Sequence, residues 1–302
     1  MPELPEVEVV RRGLETHAKG RTIEAVRVLH PRPVRTHPIG PDGFARDLAG
    51  RTVDQVRRRG KYLWLELGDD ALVVHLGMSG QFRINQVGDP LLPNTRALFL
   101  LDDGAELRFV DQRMFGGLDW RPGEGACPVG HVALDPFDPA FDAAAVGRRL
   151  RTRRTAVKRA LLDQRLVSGI GNIYADETLW RARTHFETPG DELGPRQAAA
   201  LIRTAADVMT EALAQGGTSF DALYVHVNGE SGQLNIALKR VEGSRPLQCH
   251  DWQCQTAARR QRVLFQSDLA RQALTKRLDS PTCSAAHRRN SGSRSLRGAT
   301  RA

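Results

Sequence analysis

Residues 62–84 read Tyr-Leu-Trp-Leu-Glu-Leu, Gly-Asp-Asp-Ala, Leu-Val-Val-His-Leu, Gly-Met-Ser-Gly, Gln-Phe-Arg-Ile. Short runs rich in Leu and Val, broken by Gly and Asp, are the pattern of strands joined by tight turns. Around the predicted strands Tyr62–Leu67, Leu72–Leu76 and Gln81–Ile84, the segments Thr22–Leu29, Thr52–Arg57, Ala97–Leu101 and Glu106–Val110 have the same character. One helix precedes them, over residues 5–18. Pro5 suits a first helical position, and Val9, Val10 and Leu14 form a narrow apolar face. Seven short strands after one helix predict a β-sandwich or barrel domain ending near residue 120.

Beyond residue 120 the punctuation changes. Pro122, Gly123, Gly125, Pro128, Gly130, Pro136 and Asp138 make residues 121–138 a linker. Helical periodicity follows over Asp142–Leu150, Val157–Leu166, Ile173–Arg181 and Arg196–Gln215, and Gly216-Gly217 stops the last helix. The expected organisation is α+β. An N-terminal helix and β-sandwich fill 1–120, a linker 121–138 and a helical domain 139–232. Residues 233–283 have no clear periodicity. Residues 284–302, with five Arg and no acidic residue, read as a disordered basic tail.

The 302 residues carry 44 Lys+Arg and 35 Asp+Glu, a net charge of +9, but the excess is local. Residues 233–302 hold 14 basic and 4 acidic residues, leaving 30 and 31 for residues 1–232. Basicity of the whole chain therefore says little about the first three quarters. No apolar run reaches the ~18 residues of a membrane span, and the N-terminus Met-Pro-Glu-Leu-Pro-Glu is too acidic for a leader. Four Cys exclude a disulfide scaffold and suit a reducing cytoplasm. Only five basic residues are Lys: Lys19, Lys61, Lys158, Lys239 and Lys276. An amine changes protonation state during a reaction where a guanidinium does not.

Pro2 is small enough to permit removal of Met1, which leaves a free prolyl secondary amine, a nucleophile near neutral pH. Attack on a sugar C1′ gives an iminium without loss of a second N–H. Glu3 and Glu6 lie near as acid or base candidates. The competing reading is ordinary helix capping by Pro and Glu. Lys61, following Arg57-Arg58-Arg59-Gly60, is a proton-donor candidate or else a solvated strand end. Met78 lies in a Gly-Met-Ser-Gly turn with little local core to join. Arg113 and Phe115, two apart on an extended segment, face the same way; Phe115 otherwise packs in the core.

The opening Pro2-Glu3-Leu4-Pro5-Glu6-Val7-Glu8 resembles that of the formamidopyrimidine-DNA glycosylase (Fpg/Nei) family, MutM type. So do Arg59-Gly60-Lys61-Tyr62-Leu63, His75-Leu76-Gly77-Met78-Ser79-Gly80 and Asp111-Gln112-Arg113-Met114-Phe115-Gly116. Leu161-Leu162-Asp163-Gln164, Gly169-Ile170-Gly171-Asn172-Ile173-Tyr174-Ala175-Asp176-Glu177, Gly216-Gly217-Thr218-Ser219 and Asn228-Gly229-Glu230-Ser231-Gly232 continue the match in order. The resemblance implies a helix–two-turn–helix DNA-binding domain and a bifunctional DNA glycosylase/AP lyase of base excision repair. Such an enzyme excises 8-oxoguanine and formamidopyrimidines, then cleaves the abasic strand by β,δ-elimination. By position, Pro2 is the Schiff-base nucleophile, Glu3 the proton donor to the sugar ring with Glu6 beside it, and Lys61 the proton donor in elimination.

A base buried in the stack is reached by flipping it out, and the gap must be filled. The resemblance assigns the filling to Met78, Arg113 and Phe115, with Arg113 reading the orphan base. It places Asn172, Lys158, Arg153, Asn94 and His75 among the DNA contacts, and Arg154 is a plausible phosphate contact. Glu177, Thr218, Ser219 and Tyr224 fall to the base pocket. The partner implied is double-stranded DNA with oxidised purines or abasic sites, bound by a monomer that works in the bacterial cytoplasm at the nucleoid. Two rival readings are an oxidised-pyrimidine enzyme of the endonuclease VIII type and a damaged-DNA-binding protein with impaired catalysis.

The resemblance stops where the family's zinc finger of two Cys-x2-Cys pairs is due. Cys249 and Cys254 have four residues between them, and the only later Cys is Cys283. A Cys249/Cys254/Cys283/His287 set has tolerable local spacings but a 28-residue gap. Residues 233–283 are therefore a degenerate zinc-finger region, with the hairpin Arg position held by Gln266. The abrupt change after Gly232 resembles a frameshifted or eroded end. No cofactor is required for the chemistry, and structural zinc is not expected.

Overall fold

The computed structural model describes residues 2–217 and residue 227, all within one compact unit, Met1–Lys239. Helix α1 (Leu4–Ala18) leads into strands β1 (Ile23–Val28), β2 (Gln55–Arg59), β3 (Tyr62–Leu67), β4 (Asp70–His75), β5 (Gly80–Gln86), β6 (Thr95–Leu101), β7 (Ala105–Asp111) and β8 (Gly117–Arg121). They form two antiparallel four-stranded sheets, ordered β1-β6-β7-β5 and β2-β3-β4-β8. Leu63, Leu65, Leu72, Val74, Phe82, Phe99, Leu107 and Phe109 pack together in one core, so the two sheets face each other as a sandwich.

Two elements were not legible in the sequence. Helix α2 (Gly40–Leu48) contains two Gly and a Pro, which read as a turn. Pro41 in the first turn tolerates the helix, and Phe44 and Leu48, one turn apart, bury fully in the sandwich. Strand β8 is a sheet edge completed only by pairing with β4.

The expected linker is not a solvated connector. Val129 and Val132 bury against Trp64, Ala71 and Val73 on the outer face of the second sheet. The strand β3, Tyr-Leu-Trp-Leu-Glu-Leu, is apolar on both faces around Trp64, and a sheet face of that kind needs a cover.

The helices α3 (Ala143–Leu150), α4 (Val157–Leu161), α5 (Asn172–Arg181) and α6 (Pro195–Ala214) follow. Asp142 caps α3, accepting the N–H groups of Ala144 and Ala145. The helix expected over 157–166 ends at Leu161. The Asp163 carboxylate turns back to accept the Arg165 N–H at 2.9 Å, a local bond that competes with the helix. Helix α1 joins the two cores. Leu4 belongs to the helical one with Leu161, Ile170 and Tyr174, while Val7, Val10 and Leu14 belong to the sandwich. Val227 also packs in the sandwich core, its carbonyl accepting the Ile84 N–H at 3.2 Å. Among the described residues no helix is long and apolar enough to cross a membrane.

Candidate active site

The start of the chain is threaded into the middle of the molecule. Pro2 is buried, and Leu4 N–H donates to the Gly169 carbonyl at 3.0 Å. Gly169 has φ +92, and a Cβ there would lie 2.5 Å from Leu4. The next turn delivers the N-terminus of α5, whose N–H groups lack helical partners. Glu3 takes them: its carboxylate accepts from Gly171 at 2.6 Å, Ile173 at 2.9 Å and Tyr174 at 3.3 Å. A side chain at Gly171 would sit 2.4 Å from that carboxylate, which is why the position is open. Burial pushes the Glu3 carboxyl up to about 7, against the opposing pull of Lys61 and the amide hydrogen bonds.

Glu6 sits one turn on. Its Oε2 accepts the Glu3 N–H at 3.0 Å and its Oε1 accepts the Tyr174 hydroxyl at 2.7 Å. Burial drives the Tyr174 hydroxyl well above its ordinary pKa, and the charges of Glu6 and Glu3 add to the effect, so it stays a donor. Tyr174 was missed as a site residue, because one Tyr in a helix looks like core. Gly217, at φ +87, stands beside Glu6 and brings the start of the Gly-Gly-Thr-Ser segment to the site.

Lys61 is not a solvated strand end. It lies in the turn between β2 and β3 and is 8% exposed. Burial lowers its ammonium pKa, while the charges of Glu3 and Glu6 pull the other way. A buried network fixes this turn. Arg58 forks onto Asp135 at 2.8 and 3.1 Å, and Asp135 also accepts the Gly60 N–H at 2.8 Å. Arg58 reaches Glu8 of α1 as well, at 3.0 Å. Burial alone would raise the Glu8 carboxyl, but Arg11 and Arg58 more than offset it and hold it low. His75 faces Tyr62 across the strands with rings 5.0 Å apart. Burial, with Lys61 and Arg35 nearby, lowers its pKa.

Met78 occupies the turn between β4 and β5. Arg113 and Phe115 are not on an extended segment: Met114 between them has φ +55. Their side chains still meet, with the Arg113 guanidinium 5.8 Å from the Phe115 ring centre. Phe115 is 51% exposed, which sets aside core packing. Asn94, at φ +66, is exposed at the mouth of β6.

On the helical side, Asn172 opens α5 and is exposed. Lys158 pairs with Asp176 at 2.6 Å and Arg153 with Asp163 at 2.7 Å, while Arg154 is almost fully exposed. Glu177 pairs with Arg181 at 2.7 Å, and Arg181 reaches on to Glu211. Thr218, Ser219, Tyr224, Cys249, Cys254, Cys283 and His287 lie outside the described residues. Among the described residues no group of three His, Cys, Asp or Glu side chains could hold a metal ion.

Family models for the formamidopyrimidine-DNA glycosylase N-terminal domain and for its H2TH domain match residues 1–118 and 132–222. The chain belongs to the formamidopyrimidine-DNA glycosylase family. Its members are DNA glycosylases of base excision repair, and the chain is an enzyme of that class. The formamidopyrimidine-DNA glycosylase of a Nocardioides species is 57% identical over 244 residues, 79% of this chain and 83% of the relative. That of Salinispora arenicola is 53% identical over 271 residues, 88% and 93% of the two chains. Among solved structures, a Lactococcus lactis Fpg variant in complex with Fapy-dG containing DNA matches with a TM-score of 0.70. It is 33% identical, covering 77% of this chain and 85% of that one. The Lactococcus lactis Fpg complex with abasic-site DNA matches with a TM-score of 0.68 at 32% identity, over 76% and 84% of the chains.

Proposed function

We propose that this Fpg-family chain excises oxidised purines, 8-oxoguanine and formamidopyrimidines, from double-stranded DNA and then cuts the abasic strand by β,δ-elimination. With Met1 removed, the Pro2 nitrogen attacks C1′ of the flipped nucleotide, the glycosidic bond breaks, and an iminium joins enzyme to sugar. Glu3 supplies a proton to the ring oxygen as the ring opens. Loss of a C2′ proton then expels the 3′ phosphate, a second elimination expels the 5′ phosphate, and Lys61 supplies a proton in these steps. Met78, Arg113 and Phe115 fill the vacated stack, and Arg113 reads the orphan base. Asn172, Lys158, Arg153, Asn94 and His75 position the backbone, while Glu177, Thr218, Ser219 and Tyr224 serve the base pocket. Residues 1–120 supply the chemistry and 139–232 the grip on DNA.

The observation that carries this reading is the buried cluster at the N-terminus. Glu3, next to the buried Pro2 and held by the Gly171 and Ile173 N–H groups, has its carboxyl pushed up to about 7, and the buried Lys61, whose charge acts on Glu3, has its ammonium pKa lowered. A carboxyl near 7 retains a proton to give at neutral pH, and a depressed ammonium releases one more readily.

Borohydride trapping on an 8-oxoguanine duplex tests it. The wild-type chain should form a covalent enzyme–DNA adduct, and Pro2→Gly should keep DNA binding while losing most of the adduct and the strand cleavage. Full activity in an N-terminally blocked protein would overturn the assignment. Trapping on oxidised pyrimidines in preference to purines would favour an endonuclease VIII-type enzyme, and binding without trapping a recognition protein.

A further inference from the structure

One carboxylate ties together three loops that the proposed function places against DNA. Asp111, at the end of β7, is fully buried. Its Oδ1 accepts the Ser79 hydroxyl at 2.6 Å, and its Oδ2 accepts the Gly116 N–H at 2.8 Å. Ser79 Oγ in turn accepts the Arg113 N–H at 2.9 Å. The Asp111 backbone extends the junction: its N–H donates to the Asn94 carbonyl at 3.0 Å, and its carbonyl accepts Arg96 Nε at 2.9 Å. Ser79 is itself 3% exposed and follows Met78 directly. The Met78 turn, the Arg113–Phe115 turn and the Asn94 turn therefore share one buried anchor.

The surrounding glycines fit the same account. A Cβ at Gly77 would lie 2.5 Å from the Phe115 carbonyl carbon, and one at Gly116 would lie 2.8 Å from Asp111 Oδ2. The two turns touch backbone to backbone, so a shift in one must move the other. Outside this contact Met78, Phe115 and Asn94 face a surface. The anchor lies beneath them and makes none of the contacts expected with DNA.

We infer that the Asp111–Ser79 pair is a positioning device that locks Met78, Arg113 and Phe115 into one rigid wedge, so that filling the stack and reading the orphan base occur as a single event. Neither residue touches the substrate. The inference rests on the function proposed above and goes beyond it in one respect: it assigns the coupling between gap filling and orphan-base reading to two buried side chains outside the wedge.

The test compares two substrates and two variants of the full chain. Extruding an 8-oxoguanine base needs a working wedge, whereas a preformed abasic site has no base to extrude. Ser79→Ala leaves the Arg113 N–H and one Asp111 oxygen without their partner. Under single-turnover conditions it should lower excision of 8-oxoguanine by about tenfold more than cleavage of an abasic duplex, the scale of one lost buried hydrogen bond. The ratio of excision rates opposite dC and dA should shrink with it. Asp111→Asn still accepts from Gly116 and can donate to Ser79 Oγ but cannot accept the Ser79 hydroxyl, so its excision of 8-oxoguanine should fall between wild type and Ser79→Ala, with abasic cleavage within about threefold of wild type. An equal loss on both substrates, or an unchanged ratio between orphan bases in Ser79→Ala, overturns the coupling. So does an Asp111→Asn variant as impaired as Ser79→Ala. A wild-type chain that fails to trap on abasic DNA overturns the functional reading itself and the inference with it, and is told apart from the other outcomes by that control.

Discussion

Glu3 is a carboxyl held against its own preference for charge. A folded-state pKa raised from 4.5 to about 7 means that the native protein binds a proton the unfolded chain has released. The stabilising contribution is therefore complete below pH 4.5 and is lost as pH rises through about 7. At about 1.36 kcal/mol per pKa unit the span is worth about 3 kcal/mol. Glu3→Gln removes the titration but puts an amide donor in place of one oxygen, facing either the Ile173 N–H or those of Gly171 and Tyr174. Denaturant titrations of the two proteins should show the stability of wild type relative to Glu3→Gln falling by up to about 3 kcal/mol between pH 4.5 and pH 8. Parallel pH profiles would mean that the carboxyl titrates normally. Lys61 makes the complementary case. Lys61→Arg keeps the charge that faces Glu3 and Glu6 but not the ability to pass a proton near neutral pH. Elimination at an abasic site should fall by about 10²-fold or more, the scale of one acid–base contribution. A variant equal to wild type in a gel-based cleavage assay would reduce Lys61 to electrostatics.

Between elements, the decisive junction is α1 against the loop into α5. Leu4 is fully buried in the helical core, while Val7, Val10 and Leu14 of the same helix pack in the sandwich core. Leu4→Ala should cost about 2–5 kcal/mol as a cavity mutation. It should also loosen the Glu3 contacts, so that chemical denaturation and trapping efficiency fall together. If stability drops and trapping at saturating DNA does not, the Glu3 geometry is independent of the core beneath it. Helices α1, α5 and α6 were legible because their apolar spacing and their Pro and Gly boundaries agree. The candidate residues Pro2, Glu3 and Lys61 were legible as motif positions. Their supports were not: Arg58 with Asp135, 77 residues apart, and Asp111 with Ser79 exist only once strands are paired. A buried carboxylate in a loop looks in sequence like any exposed turn residue. Helix α2 was hidden for a different reason, since Gly and Pro signal a turn unless a core rewards the helix for burying Phe44 and Leu48.

Across the whole molecule the charge is divided unevenly, and that division sets the last expectation. Residues 1–232 are nearly neutral in sum, so on the function proposed above their affinity for DNA would rest on placed side chains such as Asn172 and Arg113 and not on a general field. Residues 233–302 carry the excess of basic groups, five of them Arg within 284–302. With three Cys and no Cys-x2-Cys pair in that stretch, metal analysis of the purified chain should find less than one zinc per molecule. Non-specific attraction from the tail should then stand in for a structured contact, and counterion release gives it a signature. Each phosphate neutralised contributes a slope of about −0.9 in log K against log salt. Deleting residues 284–302 should make that slope shallower by at most about 4.5, weaken binding at low salt, and leave the two chains alike at high salt. Borohydride trapping at saturating DNA should persist, because Pro2, Glu3 and Lys61 all lie within Met1–Lys239. One zinc per chain, or a deletion that abolishes trapping at saturation, would instead make the C-terminal region a working finger on which the chemistry depends.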